Sequence, residues 1–68
     1  MITLQVNGKT VELDRATPLL GYLQKLGLDP RAVAVELNGQ ILERSAYERT
    51  TLHDGDRVEI VRMVGGGL

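Results

Sequence analysis

The chain has 68 residues, eight basic against nine acidic side chains, a net charge of −1, and neither cysteine nor tryptophan. One domain of this length buries only about 60% of the surface its unfolded chain exposes, so a deep catalytic cleft is not expected. The balanced charge and an aromatic content of 3% argue against a nucleic-acid binder, and the lack of cysteine excludes a disulfide scaffold, a thiolate nucleophile and a Cys-ligated metal.

Ile2, Leu4 and Val6 alternate with Thr3 and Gln5, the period of a half-buried strand. Asn7-Gly8 follows, a strong hairpin signal because both residues tolerate positive φ. Val11 and Leu13 resume the alternation, so residues 2–6 and 9–13 are predicted to form an antiparallel hairpin. Thr17-Pro18 is predicted to open a helix, with Thr17 as cap and Pro18 at the first turn. Leu19, Leu20, Leu23 and Leu26 are expected on its buried face. Gly27 is the expected stop, with Leu28 folding back and Pro30 preventing continuation. Gly21 either weakens this helix or permits close packing on a strand.

Val33, Val35 and Leu37 mark a third strand, and Asn38-Gly39 turns it into a short strand over 40–42. Residues 43–51 are polar, with Ala46 and Tyr47 as anchors of a loose helical turn. Asp54-Gly55-Asp56 reads as a turn, and Val58 through Val64 as the last strand. One helix must then cover one face of a mixed sheet of four to five strands. The two strands flanking the helix can pair in parallel through a right-handed crossover. The expected fold class is α+β, a ubiquitin-like β-grasp over residues 1–64, followed by a flexible glycine-rich tail over 65–68.

That tail, Gly65-Gly66-Gly67-Leu68, is the feature with chemical content. Glycines have no side chain to bury and resist ordering, so such a segment can thread a narrow channel and present a carbonyl to another enzyme. The plain alternative is a linker or an expression remnant. The glycines are not a phosphate loop, since no Lys-Ser/Thr and no helix follow them. In the last strand Val58, Ile60 and Val64 share a face with Arg62. If that face is core, Val61 and Met63 project outward, either as a docking surface or packed on the polar segment 43–51.

His53, the only histidine, and Ser45, the only serine, lack the neighbours that catalysis would need. Asp54 and Asp56 alone do not make a calcium site. The N-terminus lacks the profile of a signal peptide, and no apolar stretch approaches the ~18 residues of a membrane span, so a cytoplasmic protein is expected.

Along essentially its whole length the chain resembles the ThiS family, the sulfur carriers of thiamine biosynthesis. The resemblance rests on Ile2-Thr3-Leu4-Gln5-Val6-Asn7-Gly8, on Val33-Ala34-Val35-Glu36-Leu37-Asn38-Gly39, on Arg44 and Tyr47, and above all on the run Leu52 to Gly67. It implies a protein co-substrate rather than an enzyme. A ThiF-type adenylyltransferase would use ATP to adenylate the C-terminal glycine, and the carrier itself would bind no cofactor. Sulfur from cysteine, relayed by a cysteine desulfurase or sulfurtransferase, would displace AMP and leave a thiocarboxylate. A ThiG-type thiazole synthase would receive the sulfur. By this resemblance Gly67 holds the sulfur, Gly65 and Gly66 thread, and Val61, Arg62 and Met63 dock.

The family ends on glycine, whereas this sequence ends on Leu68, which is either a tag residue or a natural residue that a peptidase removes. A MoaD-like carrier for molybdopterin synthesis shares the implied chemistry, but those chains are usually longer. A ubiquitin-like modifier would deliver its activated carbonyl to an amine instead of sulfur, and a β-grasp interaction module would not use its tail at all.

Overall fold

Both Asn-Gly pairs form the tight turns expected of them. In the computed structural model, which describes residues 1–63, Asn7 and Gly8 have φ of 51° and 80°, and Asn38 and Gly39 have 53° and 87°. Positive φ at both central residues matches the twist of the strands they join. The first turn joins β1 (Ile2–Val6) to β2 (Lys9–Leu13), and the second joins β4 (Val33–Leu37) to β5 (Gln40–Ile41). Between the hairpins lie a two-residue strand β3 (Thr17–Pro18), helix α1 (Leu19–Lys25) and a 3₁₀ turn over Pro30–Ala32. A short helix α2 (Arg44–Tyr47), strand β6 (Thr51–Leu52) and strand β7 (Arg57–Arg62) complete the order.

The main sheet has five strands in the order β2-β1-β7-β4-β5. With α1 on one face this is the expected α+β β-grasp. The parallel pairing differs from the expectation. It joins β1 to β7, with Gln5 opposite Arg57 and Val6 opposite Val58. The strands flanking the helix, β2 and β4, are separated by β1 and β7, because the last strand enters the middle of the sheet and takes the position between the two hairpins.

The core lies between the sheet and α1. Leu4, Val6, Val33, Val35, Val58 and Ile60 face Leu19, Tyr22 and Leu23, all of them buried. Removing a side chain the size of Leu19 or Leu23 from water contributes about 1.5–3 kcal/mol. The buried stripe of α1 is therefore Leu19, Tyr22 and Leu23, at the i, i+3, i+4 spacing. Leu20 and Leu26, expected on that stripe, are 36% and 46% exposed. The helix spans only seven residues, so Leu26 falls past its end and Leu20 a quarter turn off the core.

Neither end of α1 relies on a side-chain cap. Thr17 and Pro18, expected to open the helix, instead pair as β3 with Leu52 and Thr51 of β6. The Leu19 N–H donates to the Thr50 carbonyl at 2.9 Å, so a distant backbone group replaces the predicted Thr17 cap. At the other end Gly27 has φ of 77°. Its N–H reaches the Gln24 carbonyl and the Leu28 N–H reaches Leu23, the paired closure that a left-handed residue permits. Gly21 is not a close-packing site, since a Cβ built on it meets nothing within 4 Å.

Candidate functional site

Strand β7 carries the chain from the Asp54-Gly55-Asp56 turn to Met63, and it is fastened at three points. Below it, the turn is a hydrogen-bonding hub. Asp54 Oδ1 accepts from the Thr3 N–H at 2.7 Å, and Asp56 Oδ2 accepts from the His53 N–H at 2.8 Å. The Gly55 N–H donates to the Thr3 carbonyl, and the Asp56 carbonyl accepts from Gln5. Both carboxylates therefore serve the backbone. Among the described residues, no cluster of three or more His, Cys, Asp or Glu is placed to hold a metal.

On one edge of β7, the Asn38 side chain accepts from the Arg57 N–H at 2.8 Å and donates to Asp56 Oδ1 at 3.0 Å. On the other edge, the Asn7 amide pairs with both backbone groups of Ile60. It accepts from the Ile60 N–H at 2.7 Å and donates to its carbonyl at 3.1 Å. The two turn asparagines thus extend the ladders beyond the ends of β1 and β4. The backbone position they need (positive φ) and the side-chain amide they supply explain why asparagine rather than glycine occupies each first turn position.

Tyr47 does the same for β4 where β5 stops. Its hydroxyl accepts from the Val35 N–H and donates to the Val33 carbonyl, both at 3.2 Å and both buried. An unpaired buried backbone group costs about 1–3 kcal/mol, so this phenol closes an edge that the two-residue β5 leaves open. The anchor role expected of Tyr47 is met; its hydrogen-bonding role had no signal in the sequence.

The face of the sheet opposite α1 carries two of the exposed apolar groups. Val61 is 59% and Ile41 77% exposed. Val61 sits opposite Ala34 in register, and Glu36 lies between Ile41 on β5 and Glu59 on β7. Ala34, Glu36, Ile41, Glu59 and Val61 enclose a shallow depression of about 110 Å³. Two carboxylates directly across a strand pair repel one another. This face therefore sets Val61, Ala34 and Ile41 beside a negative pair, and Ile41 joins it only through a register that alternation within one segment does not reveal.

The three residues expected to dock do not share this face. Val61 lies on it. Arg62 follows the parity of buried Val58 and Ile60 and points to the helix side, exposed because it lies at the end of the sheet. Met63, 45% exposed, has left the strand; its N–H donates to the Ala32 carbonyl and its Sδ lies 3.9 Å from Arg44 Nη2. Part of the alternative reading thus holds for Met63, which touches the polar segment after β5. Gly65, Gly66 and Gly67, with Val64 and Leu68, lie outside the described residues.

Among the described residues, two groups have shifted acidities. Burial pushes the Tyr22 phenol up from its ordinary value. The Arg31 N–H, 2.9 Å from Asp29 Oδ1, holds that carboxyl down, helped by the Arg31 side chain. Asp29 caps the 3₁₀ turn and lies at the surface, so neither group forms a proton-transfer site.

The model of the ThiS family matches residues 4–67. The sulfur carrier protein ThiS of Bacillus subtilis is 38% identical over 65 residues, which cover 94% of this chain and 98% of that one. A crystal structure of a thiamine biosynthesis protein (ThiS) from Geobacter metallireducens superposes with a TM-score of 0.83 at 40% identity, covering 97% of this chain and all of that one. A thiazole synthase of Paramagnetospirillum magneticum is 39% identical over 64 residues, 94% of this chain but only 20% of the synthase. The chain spans about a fifth of the length of the thiazole synthases it matches.

Proposed function

The chain belongs to the ThiS family, and from that premise we propose that it is the sulfur carrier of thiazole formation in thiamine biosynthesis. It is a co-substrate, and other enzymes supply the chemistry. A carboxylate resists nucleophiles at neutral pH, so Gly67 must first be activated. Its carboxylate oxygen attacks the α-phosphorus of ATP on a ThiF-type adenylyltransferase, and pyrophosphate leaves. Sulfur relayed from cysteine as the outer atom of a desulfurase or sulfurtransferase persulfide then attacks the acyl carbon, the bond to AMP breaks, and a thiol reductant cleaves the resulting acyl disulfide, leaving a thiocarboxylate and a disulfide. Gly65 and Gly66 suit this role because a Cβ would widen the thread. Activation at Gly67 requires that no residue follow it, so hydrolysis of the Gly67–Leu68 bond precedes adenylation wherever Leu68 is present.

The observation that supports this reading is the fastening of β7. The strand that leads to the glycines is paired on both edges and clasped by the Asn7 and Asn38 side chains, which gives the reacting end a fixed origin on the domain. The outer face around Val61 and Ile41 is the natural place for an enzyme to hold the carrier. That thiazole synthases contain a matching segment within their own length supports a ThiG-type synthase as the receiving partner. A cytoplasmic setting is part of the same reading, and among the described residues no helix is long and apolar enough to cross a membrane.

Intact-mass analysis of the chain recovered from its own cells tests this function. The expected species ends at Gly67 and carries sulfur in place of one carboxylate oxygen. Deletion of Gly67 is expected to abolish sulfur transfer with no change in melting temperature. A truncated chain that transfers sulfur normally would rule the carrier reading out.

A further inference from the structure

We propose that the cleft between α1, the 3₁₀ turn and α2 is a second docking site, and that it takes an acidic segment of a partner enzyme. An aliphatic side chain of that segment enters between the apolar walls, and a neighbouring carboxylate pairs with Arg44 and Arg31. The proposal rests on the carrier reading and adds a contact of opposite sign to the outer face of the sheet.

The cleft has a volume of about 360 Å³. Leu20, Pro30 and Tyr47 form its apolar lining, and Arg31, Arg44 and Glu48 are its charged groups. Tyr47 is buried with its hydroxyl committed to β4, so it gives the cleft a fixed wall. Leu20 is the leucine that α1 turns away from the core, at 36% exposure. It is not scattered on open surface but lines a concave apolar site, which is where exposed apolar groups have a use.

The two arginines are poorly matched within the domain. Arg31 reaches Asp29 at 3.5 Å, with the two side chains 85% and 51% exposed, and such a surface pair contributes little. Among the described residues Arg44 has no carboxylate within 4 Å. It stands close enough to Asp29 to add to the hydrogen bonds from Arg31 that hold this carboxyl down. Guanidinium groups are weakly hydrated and meet carboxylates in a planar fork. Two of them beside an apolar wall therefore select a carboxylate carried next to an aliphatic side chain. The outer face opposes Glu36 to Glu59 and would repel the same segment.

Met63 ties the cleft to the chemistry. At the end of β7 its N–H donates to the Ala32 carbonyl, and its Sδ lies 3.9 Å from Arg44 Nη2. Ala32 closes the 3₁₀ turn that carries Pro30 and Arg31. An enzyme that takes up the chain after Met63 is thereby brought against Arg44 and Arg31.

Charge reversal provides the test. Arg31→Glu with Arg44→Glu is compared with Lys9→Glu with Lys25→Glu, which changes the net charge equally but alters no residue lining the cleft. Each chain is titrated by calorimetry into the purified adenylyltransferase and into purified thiazole synthase, with melting temperature as the control. R31E/R44E is expected to bind at least about tenfold more weakly to one of the two enzymes, and K9E/K25E to bind like the unmodified chain. Unchanged affinity of R31E/R44E for both enzymes, or an equal loss in K9E/K25E, would overturn the cleft contact and leave the carrier reading standing. No binding of the unmodified chain to either enzyme would overturn both. Should R31E/R44E fold poorly, NMR of the unmodified chain decides. The amide signals of Leu20, Arg31 and Arg44 are expected to shift when an enzyme binds, and signals that stay in place would overturn the proposal. A shift with inorganic phosphate and with neither enzyme would make the cleft an anion site and overturn it as well.

Discussion

The side-chain amide of Asn7 pairs with both backbone groups of Ile60, 53 residues away in sequence, at 2.7 and 3.1 Å. The turn of the first hairpin is thereby joined to the last strand. Asn7→Gly keeps the positive φ and deletes the amide, so it isolates this link. The expected cost is about 1–3 kcal/mol, a fall of several degrees in melting temperature for a domain of this size. Urea unfolding at unchanged slope would check it, and an unshifted midpoint would show that water replaces the amide without loss.

Tyr47→Phe removes the hydroxyl that serves Val33 and Val35 and preserves the ring. Two buried backbone groups are left without partners, for an expected loss of about 1–3 kcal/mol. The Val35 amide should become one of the faster exchanging positions in β4, as read by hydrogen exchange.

Gly21→Ala fills open space on a helix interior. With nothing within 4 Å of the added Cβ, the substitution is expected to stabilise by about 0.5–1 kcal/mol through backbone entropy and helix propensity. Thermal unfolding reads this directly.

Val61→Asp is expected to leave stability within about 0.5 kcal/mol, because the side chain is 59% exposed. It should weaken binding to thiazole synthase or to the adenylyltransferase, since it adds a third negative group beside Glu36 and Glu59. A large fall in melting temperature with unchanged binding would mean that Val61 serves the fold and not a partner.

The Tyr22 phenol is raised by burial. Its folded pKa lies above its unfolded one, so the neutral form favours the native state. That contribution is complete below the ordinary tyrosine value of about 10 and is lost as pH rises through the folded pKa. Tyrosinate absorbance from Tyr22 should rise late, and stability should fall in the same alkaline range. Tyr22→Phe should flatten the part of that fall due to Tyr22.

The hairpins, the helix stop and the Asp-Gly-Asp turn were legible because each is written in adjacent residues with a specific backbone need. The errors fall where a distant partner decides. Thr17 and Pro18 look like a helix start until Thr51 and Leu52 pair with them. Leu20 and Leu26 look like core because leucine carries no mark of the quarter turn that exposes it, while the polar tip of Tyr22 disguises a buried ring. The docking residues were partly legible: alternation put Val61 outward, but only the β4–β5 register brings Ile41 beside it, and only the end of β7 separates Arg62 and Met63 from that face.

The central position of β7 bears on how the domain takes a mechanical load. A partner that draws the glycine segment inward pulls on β7 along its own axis. An edge strand under such tension would be held by a single ladder. A strand flanked by β1 and β4, and clasped by Asn7 and Asn38, loads both ladders in shear, so that many bonds must fail together. Traction on the tail is therefore spread across the whole sheet.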